Sequence, residues 1–390
     1  REIQKLHDTS KKALEKFNNL NDDRVVFEIR YFLSLVYLYQ FENAIHLAHK
    51  ILRELNHTEK HVGLKIDILY ALGFVTQQIG YPNVGSYLTL ISMKLAHEAN
   101  NFTQKITAQK RIGFLMTNQG YYKEALRVWQ DTTSECSHAG YMREKSLLIS
   151  NTILNFFFIG NYRQAIQLFK EWHDTEKDWN RKWTIYWIGQ GYVFIGAFSE
   201  IKNILLKNRY FYSRDPYIRC NYLYLAGNYH FHLTEYYKAK NCYKYAKRFY
   251  LKKNQKIYGY QMQLFELRCK LLLKEVTPEQ ASMEFDSIIA NPEMRKYFYE
   301  WNTQMLSFWF ARHGCKTRFK PSKDFDPMKC NAVYLRMMMF VEKIKWLRYT
   351  GENAEAETLK DQYLKHRQEM AFYVPDEFKQ SYLEHPFYQV

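Results

Sequence analysis

A glycine, an aromatic two places later, a small residue three beyond it and another aromatic four further on recur along this chain. The pattern reads GYYKEALRVW at 120–129 and GNYRQAIQLF at 160–169. With Gly160 as the anchor, related positions fall at Tyr39, Gly80, Gly120, Gly196, Thr234, Val276, Gly314 and Gly351, at intervals of 36 to 42 residues. Five residues after the anchor a small residue returns at Ala44, Gly85, Ala125, Ala165, Ala239, Ala281 and Ala356, while Ile201 and Phe319 interrupt the series. Seven residues before it, four units carry another glycine: Gly73, Gly113, Gly189 and Gly227. One such unit cannot cover both of its apolar faces, so the units must stack.

Each position has a steric reason. The small residue and the earlier glycine let two helices of one hairpin approach closely, the aromatic fills the space between them, and the anchor turns the chain. Apolar residues between follow a helical period, as at Ile149, Ile153, Phe156 and Phe157, then Ile166 and Phe169. Only 15 glycines and 8 prolines in 390 residues favour long helices joined by short turns. The expected fold is all-α, a right-handed α-solenoid of about eight to nine helical hairpins with a period near 39 residues.

These residues resemble the tetratricopeptide repeat. Its Gly–x–Tyr–x–x–Ala–x–x–x–Phe second-helix start stands intact at 160–169 and returns in EYYKAKNCYKYA at 235–246, where Tyr243 and Ala246 fill the later packing places. The resemblance covers roughly residues 25–365 and is weak at 80–95, where YPNVGSYLTL replaces the usual second-helix start. The longer unit is similar to divergent repeats in the sensor regions of large bacterial signalling ATPases of the STAND type and of transcriptional regulators. The expected organisation is a leading helix at 1–24, the repeat array at 25–313, an irregular connection at 314–330, and a last hairpin with a C-terminal helix at 331–390. That helix, in VPDEFKQSYLEHP, is expected to cap the apolar face of the last unit.

The resemblance also implies where a ligand sits, because the first helix of each hairpin lines the concave surface. The implied positions are Asp67, Tyr70, Phe74, Gln77 and Gln78, then Lys110, Phe114, Thr117 and Asn118. Next come Ser150, Leu154, Phe157 and Phe158, followed by Tyr186, Gln190 and Phe194. Asn221, Tyr224, Asn228, Phe231 and His232 complete the set. Amides bond peptide backbone and aromatics give contact area at low entropy cost, so the set suits a protein or peptide ligand. The competing reading packs several of these aromatics between neighbouring units.

Formal net charge is +16. Between Lys202 and Lys256 stand 13 Lys or Arg against Asp215 and Glu235. Lys240, Lys244, Lys247 and Arg248, with Lys238 beside them, share one helix. They offer a nucleic-acid or acidic-protein surface, or else a solvated basic face left by compositional bias.

Motifs for chemistry are lacking. There is no GxxxxGK[ST] loop and no GxGxxG; His57 and His61 in HTEKH have no third ligand nearby, and His230 and His232 leave a helix on nearly opposite faces. No catalytic residue, cofactor or metal is expected. Six scattered cysteines without a CxxC pair suit reduced packing residues of a cytoplasmic protein, and no apolar run is long enough to span a membrane. A start at Arg1 is read as a piece of a longer or processed chain. The leading expectation is a non-catalytic protein- or peptide-binding region of a larger bacterial signalling protein, antiviral sensors included. The alternatives are a nucleic-acid-binding array using 202–256 and, third, an enzyme with a dispersed groove site.

Overall fold

The computed structural model describes residues 2–15, 22–37, 40–55, 62–78, 81–99, 102–173, 179–214, 216–252, 256–291 and 300–390. Among them are nineteen α-helices and no strand, divided between two compact units, Arg1–Tyr141 and Met142–Val390. The first unit holds α1 (Glu2–Leu14), α2 (Asp22–Tyr37), α3 (Phe41–Leu55), α4 (Val62–Gln78), α5 (Pro82–Glu98), α6 (Phe102–Asn118) and α7 (Tyr122–His138). The second begins with α8 (Met142–Phe158), α9 (Tyr162–His173), α10 (Trp179–Phe194), α11 (Phe198–Arg214), α12 (Pro216–His232) and α13 (Tyr236–Lys252). It continues with α14 (Lys256–Leu272), α15 (Pro278–Ala290), α16 (Glu300–Arg312), α17 (Val333–Tyr349), α18 (Asn353–Ala371) and α19 (Lys379–Leu383).

The anchors stop the first helix of a pair. Gly120, Gly160, Gly196, Thr234, Gly314 and Gly351 all have positive φ, the left-handed conformation that ends a helix. At Gly160 its own N–H donates to Phe157 O at 3.0 Å and the next N–H, of Asn161, donates to Phe156 O at 2.8 Å. The same pair of bonds closes α10, α12 and α17. The anchors Tyr39 and Gly80 lie outside the described residues. Val276 is not the turning residue of its unit. Lys274 has φ of 58° instead, and Thr277 then caps α15, its hydroxyl accepting from Gln280 N while Gln280 returns to Thr277 N. That capping box needs the extra residues between turn and helix.

All seven small residues after the anchors are buried. A Cβ on Gly113 would stand 2.6 Å from the Trp129 ring, and one on Gly227 2.5 Å from Tyr243, so these glycines bring each first helix against its own second helix. Gly189 serves a different contact, since its Cβ would meet Leu225 on the following first helix, α12. Gly314 turns the chain but no second helix follows it. The stretch 315–332 carries a 3-10 turn at Pro327–Lys329 and is fixed by α17, whose buried Lys343 donates to Phe325 O at 3.0 Å and to Lys323 O. The prolines there, Pro321 and Pro327, remove the N–H groups a helix would need.

The end of the chain does more than cover the last hairpin. Tyr363 and Arg367 on α18 donate to Tyr388 O, and Arg367 also donates to Tyr382 O and Leu383 O. The same segment meets the start of the unit. Arg163 N donates to Tyr373 O at 2.7 Å, and its guanidinium holds Asp376 at 3.0 Å. His385 Nε2 donates to Val193 O at 3.0 Å, at the end of α10. Close approach at the Gly160 and Gly196 turns makes this return fit: a Cβ on Gly160 would overlap Met370 and lie 2.9 Å from Val333, and one on Gly196 would lie 2.8 Å from Ser381 O.

Two substitutions separate turn strain from closure. Gly351 has the same left-handed φ with nothing within 4 Å of a Cβ, so Gly351→Ala costs backbone strain alone, about 1–2 kcal/mol. Gly160→Ala adds a clash with α17 and α18, and the expected total is about 2–5 kcal/mol. Urea unfolding of both variants checks the order; equal losses would contradict the contact at Gly160.

Candidate functional site

First helices of the second unit surround a cavity of about 200 Å³. Leu154, Phe157 and Phe158 come from α8, Tyr186, Trp187 and Gln190 from α10, Asn221 and Tyr224 from α12, Tyr258 and Gln261 from α14, and Tyr334 from α17. Gly191 makes the wall possible, because any Cβ there would overlap the Phe157 ring. Phe194 and Tyr334 stack at 4.5 Å, which ties α10 to α17 across the cavity. Tyr224 stacks on Phe265 at 5.6 Å.

The polar groups are set by a ladder of hydrogen bonds. Tyr250 OH donates to Asn221 Oδ1 at 2.8 Å, Tyr243 OH donates to Asn228 Oδ1 at 2.8 Å, and Asn228 Nδ2 donates to Gln190 Oε1 at 2.8 Å. Each amide is thereby oriented by its partner. Asn221, 6% exposed, keeps Nδ2 without a protein acceptor. Burial pushes the Tyr186 and Tyr224 phenols above their ordinary range, so both are neutral hydroxyls. A lining of aromatic rings, neutral phenols and amides can hold an uncharged polar chain and bury its apolar side groups.

Sequence-predicted positions fall into distinct groups. Phe157, Tyr186, Gln190, Asn221 and Tyr224 line this cavity, together with Leu154, Phe158 and Phe194. Asn228, Phe231 and His232 line a smaller adjoining one with Arg268. Ser150 and Thr184 bond each other at 2.6 Å between α8 and α10, and both are buried. In the first unit, Tyr70 and Phe74 lie under the Arg111 guanidinium at 5.9 and 4.5 Å. Burial lowers Arg111 to about 10 and raises the Asp67 carboxyl. Phe114 packs edge-on against Trp129 within its hairpin, Thr117 donates to Gly113 O, and Lys110 is half-buried. The side chains of Gln77, Gln78 and Asn118 lie outside those described, as do His57 and His61.

The basic helix α13 is largely paired. Lys238 bonds Glu235 at 2.8 Å, Lys247 bonds Glu266 at 2.6 Å and Lys240 bonds Glu275. Lys244 and Arg248 are exposed, with Arg248 5.9 Å from the Tyr245 ring. No group of three His, Cys, Asp or Glu is placed to hold a metal among the described residues, and no described helix is long and apolar enough to cross a membrane.

Repeat spacing missed Trp187, Tyr258, Gln261, Tyr334 and Arg268. Tyr334 reaches the cavity only through the return of the last hairpin, which no local spacing encodes. Gly191 had a visible signal, a second glycine two residues after Gly189 inside a helical run.

No family model matches the sequence, and no curated protein matches it either. Solved structures do match in fold. A Rap protein complexed with Competence and Sporulation Factor superposes with a TM-score of 0.61 at 10% identity, over 90% of this chain and 100% of that one. NprR in complex with its cognate peptide NprX gives 0.52 at 15% identity, over 73% of this chain and 80% of that one. The chain thus has the all-α, tetratricopeptide-like helical-repeat fold expected from its hairpin signature.

Burial makes the closure acid-sensitive. His385 accepts from Phe387 N on Nδ1 and donates from Nε2 to Val193 O, so the folded chain holds it neutral. Its pKa falls from 6.5 to about 4, chiefly through burial, with the Arg367 charge adding to the drop. The unfolded chain therefore binds the proton first, and stability is lost as pH falls from about 6.5 towards 4, by up to roughly 3 kcal/mol for this group. Thermal unfolding of wild type and His385→Gln at pH 6.5 and at pH 4.5 checks it: the variant should lose less on acidification.

Proposed function

We propose that the chain is a non-catalytic, peptide-binding regulatory repeat protein whose receptor is the cavity between α8, α10, α12, α14 and α17. The observation that carries this is Asn221, a buried amide fixed by Tyr250 with its N–H₂ directed to no protein acceptor, in a wall of tyrosines. A peptide carbonyl satisfies that donor, and the rings cover the side chains beside it. Two of the solved structures similar in fold are complexes with Competence and Sporulation Factor and with the cognate peptide NprX. Amides and neutral phenols in the lining favour holding a ligand over transforming it. The wider setting we propose is the sensing or scaffold part of a larger bacterial signalling protein, such as a STAND-type ATPase. There the bound peptide favours one arrangement of the array over another.

A nucleic-acid surface on α13 has less support, since Lys238, Lys240 and Lys247 already meet carboxylates. The double variant Lys244→Ala/Arg248→Ala is expected to leave retention on single-stranded DNA resin unchanged at low salt. A large loss of retention, reproduced for wild type at about 0.5 M salt, would restore the stripe as a binding surface.

Affinity selection from a synthetic library of short linear peptides tests the main reading. Wild type is expected to enrich a related set of sequences, and Asn221→Leu, close in size and without the amide, to retain them at least about tenfold less well. Enrichment that is no greater with wild type than with Asn221→Leu would overturn it.

A further inference from the structure

Beside the tyrosine cavity lies a second space of about 90 Å³. It shares Phe194, Tyr224, Gln261 and Tyr334 with its neighbour, and on its other side stand Phe231, His232 and Arg268. Arg268, on α14, is 3% exposed. Its guanidinium stacks against two rings, 4.5 Å from the centroid of Phe231 and 4.7 Å from that of Trp309. Ring contacts engage the faces of a guanidinium and leave its in-plane N–H groups to find acceptors elsewhere. Here Nε and Nη2 meet none in the protein.

The carboxylate whose field reaches Arg268, Glu342 on α17, is fully buried and already committed. Arg312 Nε donates to its Oε2 at 2.7 Å and Nη2 to its Oε1 at 3.5 Å. Lys345, half-buried, stands in the field of the same Glu342 and 6.0 Å from the Phe387 ring. Arg312 alone thus pairs with this interior carboxylate, while Arg268 and Lys345 feel only its field. His232 Nδ1 also meets no protein partner, and its ring packs against His385 at 5.2 Å and Phe387 at 5.0 Å. Burial and the neighbouring His385 and Arg268 keep that imidazole neutral, so it carries one N–H to donate.

We propose that Arg268, assisted by His232, is a carboxylate-binding subsite at one end of the ligand cavity. This rests on the peptide-binding reading for what brings the carboxylate: the C-terminus of the peptide or an Asp or Glu side chain on it. Aromatic rings over the guanidinium leave approach in its own plane, which a planar acid with two oxygens meets with both. The space of about 90 Å³ has room for such a group. A buried cation with unmet donors is costly in the unliganded fold, and the incoming carboxylate supplies both the missing acceptors and the missing charge.

The test uses the whole chain labelled with ¹⁵N-arginine. The Arg268 Nε–H resonance is assigned by its loss in Arg268→Lys and its perturbation in His232→Gln. Three probes are then titrated: N-acetyltyrosine, its C-terminal amide, and inorganic phosphate. The expected result is a saturable shift with the free acid, at least about tenfold weaker with the amide and absent with phosphate. Equal responses to acid and amide, a stronger response to phosphate, or no response to any probe would overturn the proposal. The acid–amide comparison is read on wild type, so it stands even if Arg268→Lys does not fold. None of the probes is a peptide from the selection, so failure of peptide binding and failure of the subsite are separate results. For a selected peptide, the free acid, the amide, and the amide with Asp and Glu changed to Asn and Gln tell which carboxylate is held.

Discussion

The second unit depends on the return of the chain's last segment to two glycine turns formed some 200 residues earlier in the sequence. Gly160 and Gly196 are there first to end helices, in a conformation that other residues adopt at a cost. Being side-chain free, they also leave space for α17, α18 and the segment around Ser381 to approach. Arg163 then offers a backbone donor that would otherwise be left at a helix start, and Val193 O, already accepting from Gly196 N, has a lone pair to spare; the returning chain bonds both. A stack of hairpins has two open ends; in this unit the end of the chain lies against the beginning.

That closure determines what the first helices enclose. Without it, the inner faces of α8, α10, α12 and α14 would be a strip of tyrosines and amides. With Tyr334 stacked on Phe194 and lying near Phe158, the strip becomes a walled cavity. Polar groups there are ordered by neighbours on second helices, Tyr243 and Tyr250, the same tyrosines whose bulk keeps the hairpins together. Packing and ligand presentation therefore use the same side chains. Loss of either tyrosine would release an amide as well as leave a hole.

Much of the fold was legible because it is local. Ala165, Ala239 and their equivalents, the aromatic three residues earlier and the left-handed anchor are steric requirements of one hairpin, so they recur in most units. Thr234 shows the requirement is conformational rather than a matter of glycine as such. Two departures were less legible. At Val276 a capping box shifts the second helix relative to the turn, and after Gly314 the prolines and the Lys343 bonds replace a helix with a fixed irregular strand of chain. The site was legible only as far as repeat register reaches. Tyr186, Asn221 and Tyr224 are register positions, whereas Tyr334 and Arg268 acquire their place from long-range closure and from rings contributed by other helices.

Hydrogen exchange across the second unit reports on this closure, because a closed array opens as one body while an appended tail frays alone. If the C-terminal segment closes the unit, amides in 376–388 and the Arg163 amide should exchange at rates close to those of 185–195 on α10. Rapid exchange of 376–388 beside a well-protected α10 would contradict it.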